Sequence, residues 1–145
     1  MAETFAARGA AVPASRCVLT ASTSEAYSFL FKLLCEPGDE VLVPQPSYPL
    51  FELLTRLDAV TSVAYRLDPH GAWCLDRATL ESAATRRTRA ILIVSPNNPT
   101  GSMLRSGDRE WLVAFARARG LAIVADEVFF DYQFAPRADV VSLAG

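Results

Sequence analysis

Two stretches without a polar side chain limit what this sequence can fold into: Ala90-Ile91-Leu92-Ile93-Val94 and Leu121-Ala122-Ile123-Val124-Ala125. A strand of alternating polarity can keep one face in water. An unbroken apolar run has no such face and is expected to be covered on both sides. Sheets covered on both sides are mostly parallel, because the helices that connect parallel strands are also what covers them. The segment between the two runs supplies such a helix. Its pattern predicts a helix from Asp108 to Arg119, with Gly120 just past the end as a C-cap.

The alternation of strand and helix extends toward the amino end. Glu40-Val41-Leu42-Val43 reads as a strand after the Pro37-Gly38-Asp39 turn, and Thr61 to Leu67 alternates as another. Ser22-Thr23-Ser24-Glu25 has the spacing of a capping box, with Ser22 as N-cap and Glu25 reaching back. It opens a helix running to about Cys35, whose apolar positions Ala26, Phe29, Leu30, Leu33 and Leu34 recur at helical spacing. Ser47 to Leu57 and Asp76 to Ala84 are further helix candidates. Residues 2–15, rich in alanine, read as a loosely specified helix and a turn, and Phe134 to Gly145 trails off without another strand-helix unit. The expected fold is α/β: a three-layer α/β/α sandwich around a mostly parallel sheet.

The bulk composition narrows the partners. With 145 residues and 51% hydrophobic content the chain can bury one domain-sized core. Fourteen basic and 16 acidic residues give a formal charge of -2, which offers no attraction to nucleic acid or to an anionic membrane. No apolar run is long enough to span a bilayer, and the acidic start Met1-Ala2-Glu3 is not that of a secretory signal. Cys17, Cys35 and Cys74 form no close pair and His70 is the only histidine, so no metal site is expected. Reduced thiols in a cytoplasmic protein are the simpler reading. Lys32 is the only lysine; the other thirteen basic residues are arginines.

Ligands of open α/β sheets bind beyond the carboxyl ends of the strands, and three polar motifs fall at such places. Thr20-Ala21-Ser22-Thr23-Ser24-Glu25-Ala26 puts hydroxyls and free N–H groups at a helix start, which suits a phosphate. Taken alone it reads better as a plain N-cap. Ser95-Pro96-Asn97-Asn98-Pro99-Thr100-Gly101 follows the first apolar run, and its two prolines stiffen a turn that aims the Asn98 amide. An ordinary Asn-Pro turn is the weaker alternative here. In Ala125-Asp126-Glu127-Val128, a carboxylate at the end of a buried strand needs a partner. A protonated ring nitrogen would serve, and so would capping of the following segment; the two readings are even.

As an ordered set, T-x-S-x-S-E-A, P-G-D-E-V, P-S-Y-P, S-P-N-N-P-T-G and A-D-E-V closely resembles the fold-type I aminotransferases of class I/II, from about Arg16 to Leu143. That resemblance implies pyridoxal 5'-phosphate as cofactor, and an amino acid and a 2-oxo acid as substrates. It implies that Ser22, Thr23 and Ser24 hold the cofactor phosphate and that Tyr48 stacks on the pyridine ring. Asn98 then bonds the ring's phenolic oxygen, and Asp126 pairs with the ring nitrogen. Residues 1–145 would be part of the large cofactor-binding domain, with an N-terminal segment and a C-terminal small domain outside the chain. The full-length protein would be a homodimer.

Two departures stand out. Many family members carry a tyrosine three residues after the aspartate, where this chain has Phe129; the cofactor of the intact enzyme is expected to titrate higher for lack of that phenol, with Tyr132 a candidate substitute. The family attaches its cofactor to a lysine beyond the D-E strand, and the chain has none there. Lys32 lies about 12 Å along its helix from Ser24, at roughly 1.5 Å per residue, and reads as part of a solvated helix face. No catalytic residue is therefore assigned, and the chain alone is expected to be inactive and aggregation-prone at its exposed edges. The resemblance also admits, as alternatives to an aminotransferase, a carbon–sulfur β-lyase of the same fold or the aminotransferase-like sensor domain of a transcription regulator. A generic nucleotide-binding module is disfavoured by the lack of a G-x-G-x-x-G turn.

Overall fold

The computed structural model describes residues 5–6, 11–135 and 137–144. Half of the alanine-rich start, residues 2–4 and 7–10, therefore lies outside the described residues; Ala14–Arg16 form one 3-10 turn. The regular elements are α1 (Thr23–Leu34), β1 (Glu40–Gln45), α2 (Leu50–Leu57), β2 (Thr61–Asp68), β3 (Cys74–Leu75), α3 (Arg77–Ala83), β4 (Thr88–Val94), α4 (Ser106–Arg119) and β5 (Ala122–Asp126). They build a five-stranded sheet in the order β3-β2-β1-β4-β5. The pairs β1–β2, β1–β4 and β4–β5 are parallel, and the short β3 runs antiparallel to β2.

The unbroken apolar runs have a direct explanation. Successive residues of β1 and β4 feed two separate cores. Val41, Ala90 and Leu92 pack with Tyr27 and Phe31 of α1 and Phe51 of α2 on one face. Leu42, Ile91 and Ile93 pack with Leu80 of α3 and Leu112 and Ala116 of α4 on the other. These are the three layers the sequence predicts. The second run is covered less than expected: Val124 is buried, but Ile123 is half-buried and Ala125 exposed. The reason is position, since among the described residues β5 is the last strand of the sheet and pairs with β4 alone.

Helix boundaries follow local chemistry, with corrections. Gly120 is the C-cap of α4, in the left-handed region at φ 66°, and its N–H reaches the carbonyls of Ala116 and Arg117. Asp76 caps α3 by accepting from the Thr79 N–H. α2 starts at Leu50 rather than Ser47, with Pro49 at its N-cap; a proline disfavours the helical region for the residue before it. The buried stripe of α1 is also rotated from the expected one. Tyr27 and Phe31 are 4% and 1% exposed, whereas Phe29 and Leu33 are 52% and 78% exposed.

The P-G-D-E-V motif serves the amino end of the sheet. Asp39 is paired with Arg89 at 2.9 Å, and the buried Glu40 with Arg87 at 2.8 Å. Glu40 also accepts from the hydroxyls of Thr85 and Thr88. The Thr85 hydroxyl above all, then the Arg87 guanidinium, hold its carboxyl below the usual carboxylate range despite the opposing effect of burial.

Candidate cofactor site

The strand order creates the site. The chain leaves β1 toward β2 on one side and returns to β4 on the other, so the connections diverge at the carboxyl ends of β1 and β4. The two strands also part there: their last paired residues are Leu42 and Ile91, and Val43 to Gln45 continue without β4. Pro44 lies past that last pair and stays in register with Tyr65 of β2 alone. An open cavity of about 380 Å³ occupies the crevice, a size typical of small-molecule sites.

All six residues singled out in the sequence line it: Ser22, Thr23, Ser24, Tyr48, Asn98 and Asp126. They come from the start of α1, the β1–α2 connection, the loop after β4 and the end of β5. Among the described residues lining the cavity there is no lysine, arginine, histidine or cysteine.

At the α1 end, the capping and anion-binding readings are compatible. Ser22 Oγ accepts from the Glu25 N–H at 3.1 Å, which leaves the Ser22 hydroxyl proton to donate. The Glu25 carboxylate bonds the Ala21 N–H at 2.6 Å, one residue earlier than in the standard capping box. The N–H groups of Thr23 and Ser24, first in the helix, have no partner among the described residues. These donors and the positive helix end suit an anion.

The two asparagines after β4 divide their labour. Asn97 is buried; its Nδ2 donates to the Pro46 carbonyl at 3.0 Å and to Thr100 Oγ1 at 2.9 Å, and its Oδ1 accepts from Ser47 Oγ at 3.3 Å. It ties the loop after β4 to the loop after β1 just where the strands part. Asn98 is exposed to the cavity, and its side chain has no partner among the described residues. The Ser95-Pro96 and Asn98-Pro99 peptide bonds are both cis. Ser95 is also buried: its N–H donates to the Asp126 carbonyl and its Oγ accepts from the Leu104 N–H, both at 2.9 Å.

Asp126 has two partners. Its Oδ1 accepts from the Val128 N–H at 3.1 Å, so the capping alternative is realised. Its Oδ2 accepts from the Tyr27 phenol at 2.6 Å. Burial, and then the charge of Asp126, push the Tyr27 phenol far above its ordinary range and hold it as a donor. Each carboxylate oxygen keeps a second lone pair. The neighbouring Glu127 is turned to a different task, accepting from Ser142 Oγ at 2.7 Å and the Leu143 N–H at 2.8 Å.

Tyr48 is partly exposed at the cavity wall, its ring edge-on to Phe51 with centroids 6.2 Å apart. Phe129 lines the same cavity. Tyr132 is no substitute phenol: it is largely exposed, sits edge-on against Phe129 at 6.0 Å, and does not line the cavity. Lys32 lies outside the cavity, but its helix face is not simply solvated. Its Nζ donates to Ser28 Oγ at 2.9 Å and pairs with Asp58 at 3.3 Å, tying α1 to the end of α2.

The sequence profile of aminotransferase class I and II matches residues 2–144. Alanine aminotransferase of Mycobacterium tuberculosis H37Rv is 39% identical over 106 residues, 73% of this chain and 25% of that protein. The structure of an alanine aminotransferase from Pyrococcus furiosus superposes with a TM-score of 0.86 at 29% identity, covering 95% of this chain and 35% of that one. N-succinyldiaminopimelate aminotransferase from Mycobacterium tuberculosis gives a TM-score of 0.79 at 34% identity, covering 87% and 33%. The chain thus spans about a quarter of the length of the curated relatives it matches. On motif, fold and profile together, it belongs to the class I and II aminotransferases, the fold-type I family that uses pyridoxal phosphate.

Proposed function

We propose that the cavity is a bed for pyridoxal 5'-phosphate, in the central part of a large domain whose whole protein moves an amino group between an amino acid and a 2-oxo acid. The observation that carries the reading is convergence. Six residues from four separated segments, picked for complementary parts of one molecule, line a single crevice at the strand switch point. The residues fit the group. The unpaired N–H groups of Thr23 and Ser24 and the hydroxyls beside them suit the phosphate. The Asp126 carboxylate, with lone pairs to spare, suits a protonated ring nitrogen, and the unpartnered Asn98 amide suits the ring's oxygen.

When bound, the cofactor supplies an electron sink for the pair left when the substrate's α-proton departs. The chain's own residues do the rest. Asp126 holds positive charge on the ring nitrogen, Tyr48 fixes the ring plane, and the start of α1 anchors the molecule away from the reacting carbon. The amine that takes the cofactor covalently is not Lys32, which is outside the cavity and paired with Asp58. The amino donor is not set by these residues, since the relatives' names span alanine and N-succinyldiaminopimelate.

Pyridoxamine 5'-phosphate tests this reading, because its binding needs no covalent bond. Saturable binding, weakened by Asp126→Asn and by Ser24→Ala, is expected in fluorescence titration. Absence of saturation, or affinities unchanged in both variants, would overturn it.

A further inference from the structure

We propose that Tyr27 is a positioning residue for the cofactor ring: its phenol clamps the Asp126 carboxylate in the orientation that meets the ring nitrogen. The inference rests on the cofactor reading above and adds a residue to it. A lone aspartate at the end of an edge strand has two free torsions and few neighbours. Here one oxygen is held by the Val128 N–H of its own turn, which fixes little beyond the backbone. The other is held at 2.6 Å by a side chain 99 residues away in the sequence, from α1, which also lines the crevice.

The donor is itself immobilised. Tyr27 is 4% exposed, its ring is stacked against Phe31 at 6.0 Å, and Phe51 meets it edge-on at 5.2 Å. Phe51 in turn meets Tyr48 edge-on. One aromatic row, Tyr48–Phe51–Tyr27, therefore connects the residue assigned to the ring's face with the residue assigned to its nitrogen. Tyr27 also lines the cavity, so its bond to Asp126 is made at the site and not behind it. A phenol donating to an anion gives one of the stronger hydrogen bonds available to a protein. It orients the carboxylate and leaves one lone pair per oxygen for the ligand.

The test is a double-mutant cycle on pyridoxamine 5'-phosphate affinity, using Tyr27→Phe, Asp126→Asn and both together. Tyr27→Phe is expected to weaken binding about ten-fold, as for loss of one charge-assisted hydrogen bond. In the Asp126→Asn background the same change is expected to alter affinity less than about two-fold, because its target is gone. Equal losses in both backgrounds would show a packing role and overturn the proposal, as would an unchanged affinity in Tyr27→Phe.

A second readout needs no Tyr27 variant and serves if that variant fails to fold. Asp126→Asn should shift a tyrosine near-ultraviolet absorption band to shorter wavelength, since a phenol loses its anionic acceptor; an unmoved band would overturn the clamp. Failure of the unmodified protein to bind the probe sinks the cofactor reading and this inference with it. Binding that Asp126→Asn weakens and Tyr27→Phe does not sinks the inference alone.

Discussion

Adjacent residues in this chain carry opposite duties, and single substitutions should separate them. Asn97 makes three side-chain hydrogen bonds and is buried, whereas Asn98 makes none among the described residues and faces the cavity. Asn97→Ala should lower stability by about 3 kcal/mol, because buried partners are left unsatisfied. Asn98→Ala should change stability by less than about 0.5 kcal/mol and weaken pyridoxamine 5'-phosphate binding instead. Urea unfolding of both variants beside a binding titration checks the division. Glu40 gives the pH dependence. Its folded carboxyl lies below the ordinary 4.5, so its stabilising contribution is complete above that value and is lost as the pH falls through the folded one. Glu40→Gln should therefore narrow the difference in unfolding free energy between about pH 6 and about pH 3. An unchanged difference would mean that other carboxylates govern the acid limb.

At the scale of elements, the two longest helices among the described residues are marked at opposite ends. The α1 start is marked by Ser22 and the α4 end by Gly120. Gly120→Ala places a Cβ in open space but keeps a left-handed backbone, so only the backbone term is lost. It should cost about 1 kcal/mol in thermal or urea unfolding and leave ligand binding unchanged. Ser22→Ala should cost about 1 kcal/mol through the lost cap and also weaken binding of the phosphate-bearing probe, since the same hydroxyl is exposed to the cavity. α1 also shows where periodicity runs out as a guide. Its apolar residues form two overlapping stripes, one through Phe29 and Leu33 and one through Tyr27 and Phe31. Either satisfies helical spacing; the sheet beneath selects the second.

The whole molecule is a sheet with a core on each face, joined by strands that contribute to both. Ile91 and Leu92 are adjacent in β4, fully buried, and belong to opposite cores. Each truncation to alanine should cost between about 2 and about 5 kcal/mol, a large share of a domain's total stability. The Leu92 change should disturb the cavity more, because its core contains Tyr27 and Phe51, which line the site. Comparing probe affinity at matched residual stability distinguishes the two faces. Equal effects on affinity would show that the cavity does not depend on the core beneath α1 and α2.

Much of this was legible along the chain. Unbroken apolar runs can be satisfied only between two layers, so the sandwich and the burial of β4 followed from Ala90 to Val94, whereas the run from Leu121 to Ala125 is covered only in part. Caps and turns such as Ser22, Asp76 and Gly120 act within a few residues and could be read locally. Motif resemblance located the six cavity residues, because each occurs in a short segment of fixed spacing. Partnerships across the fold were not legible. Nothing near Tyr27 in sequence announces Asp126, nor does Asn97 announce Pro46 and Ser47, since those contacts exist only once α1, β1, β4 and β5 lie side by side. Local rules determine which elements form and where they stop. Which polar atoms meet in the crevice depends on strand order and on helix rotation about the sheet, and these are settled by packing the whole chain at once.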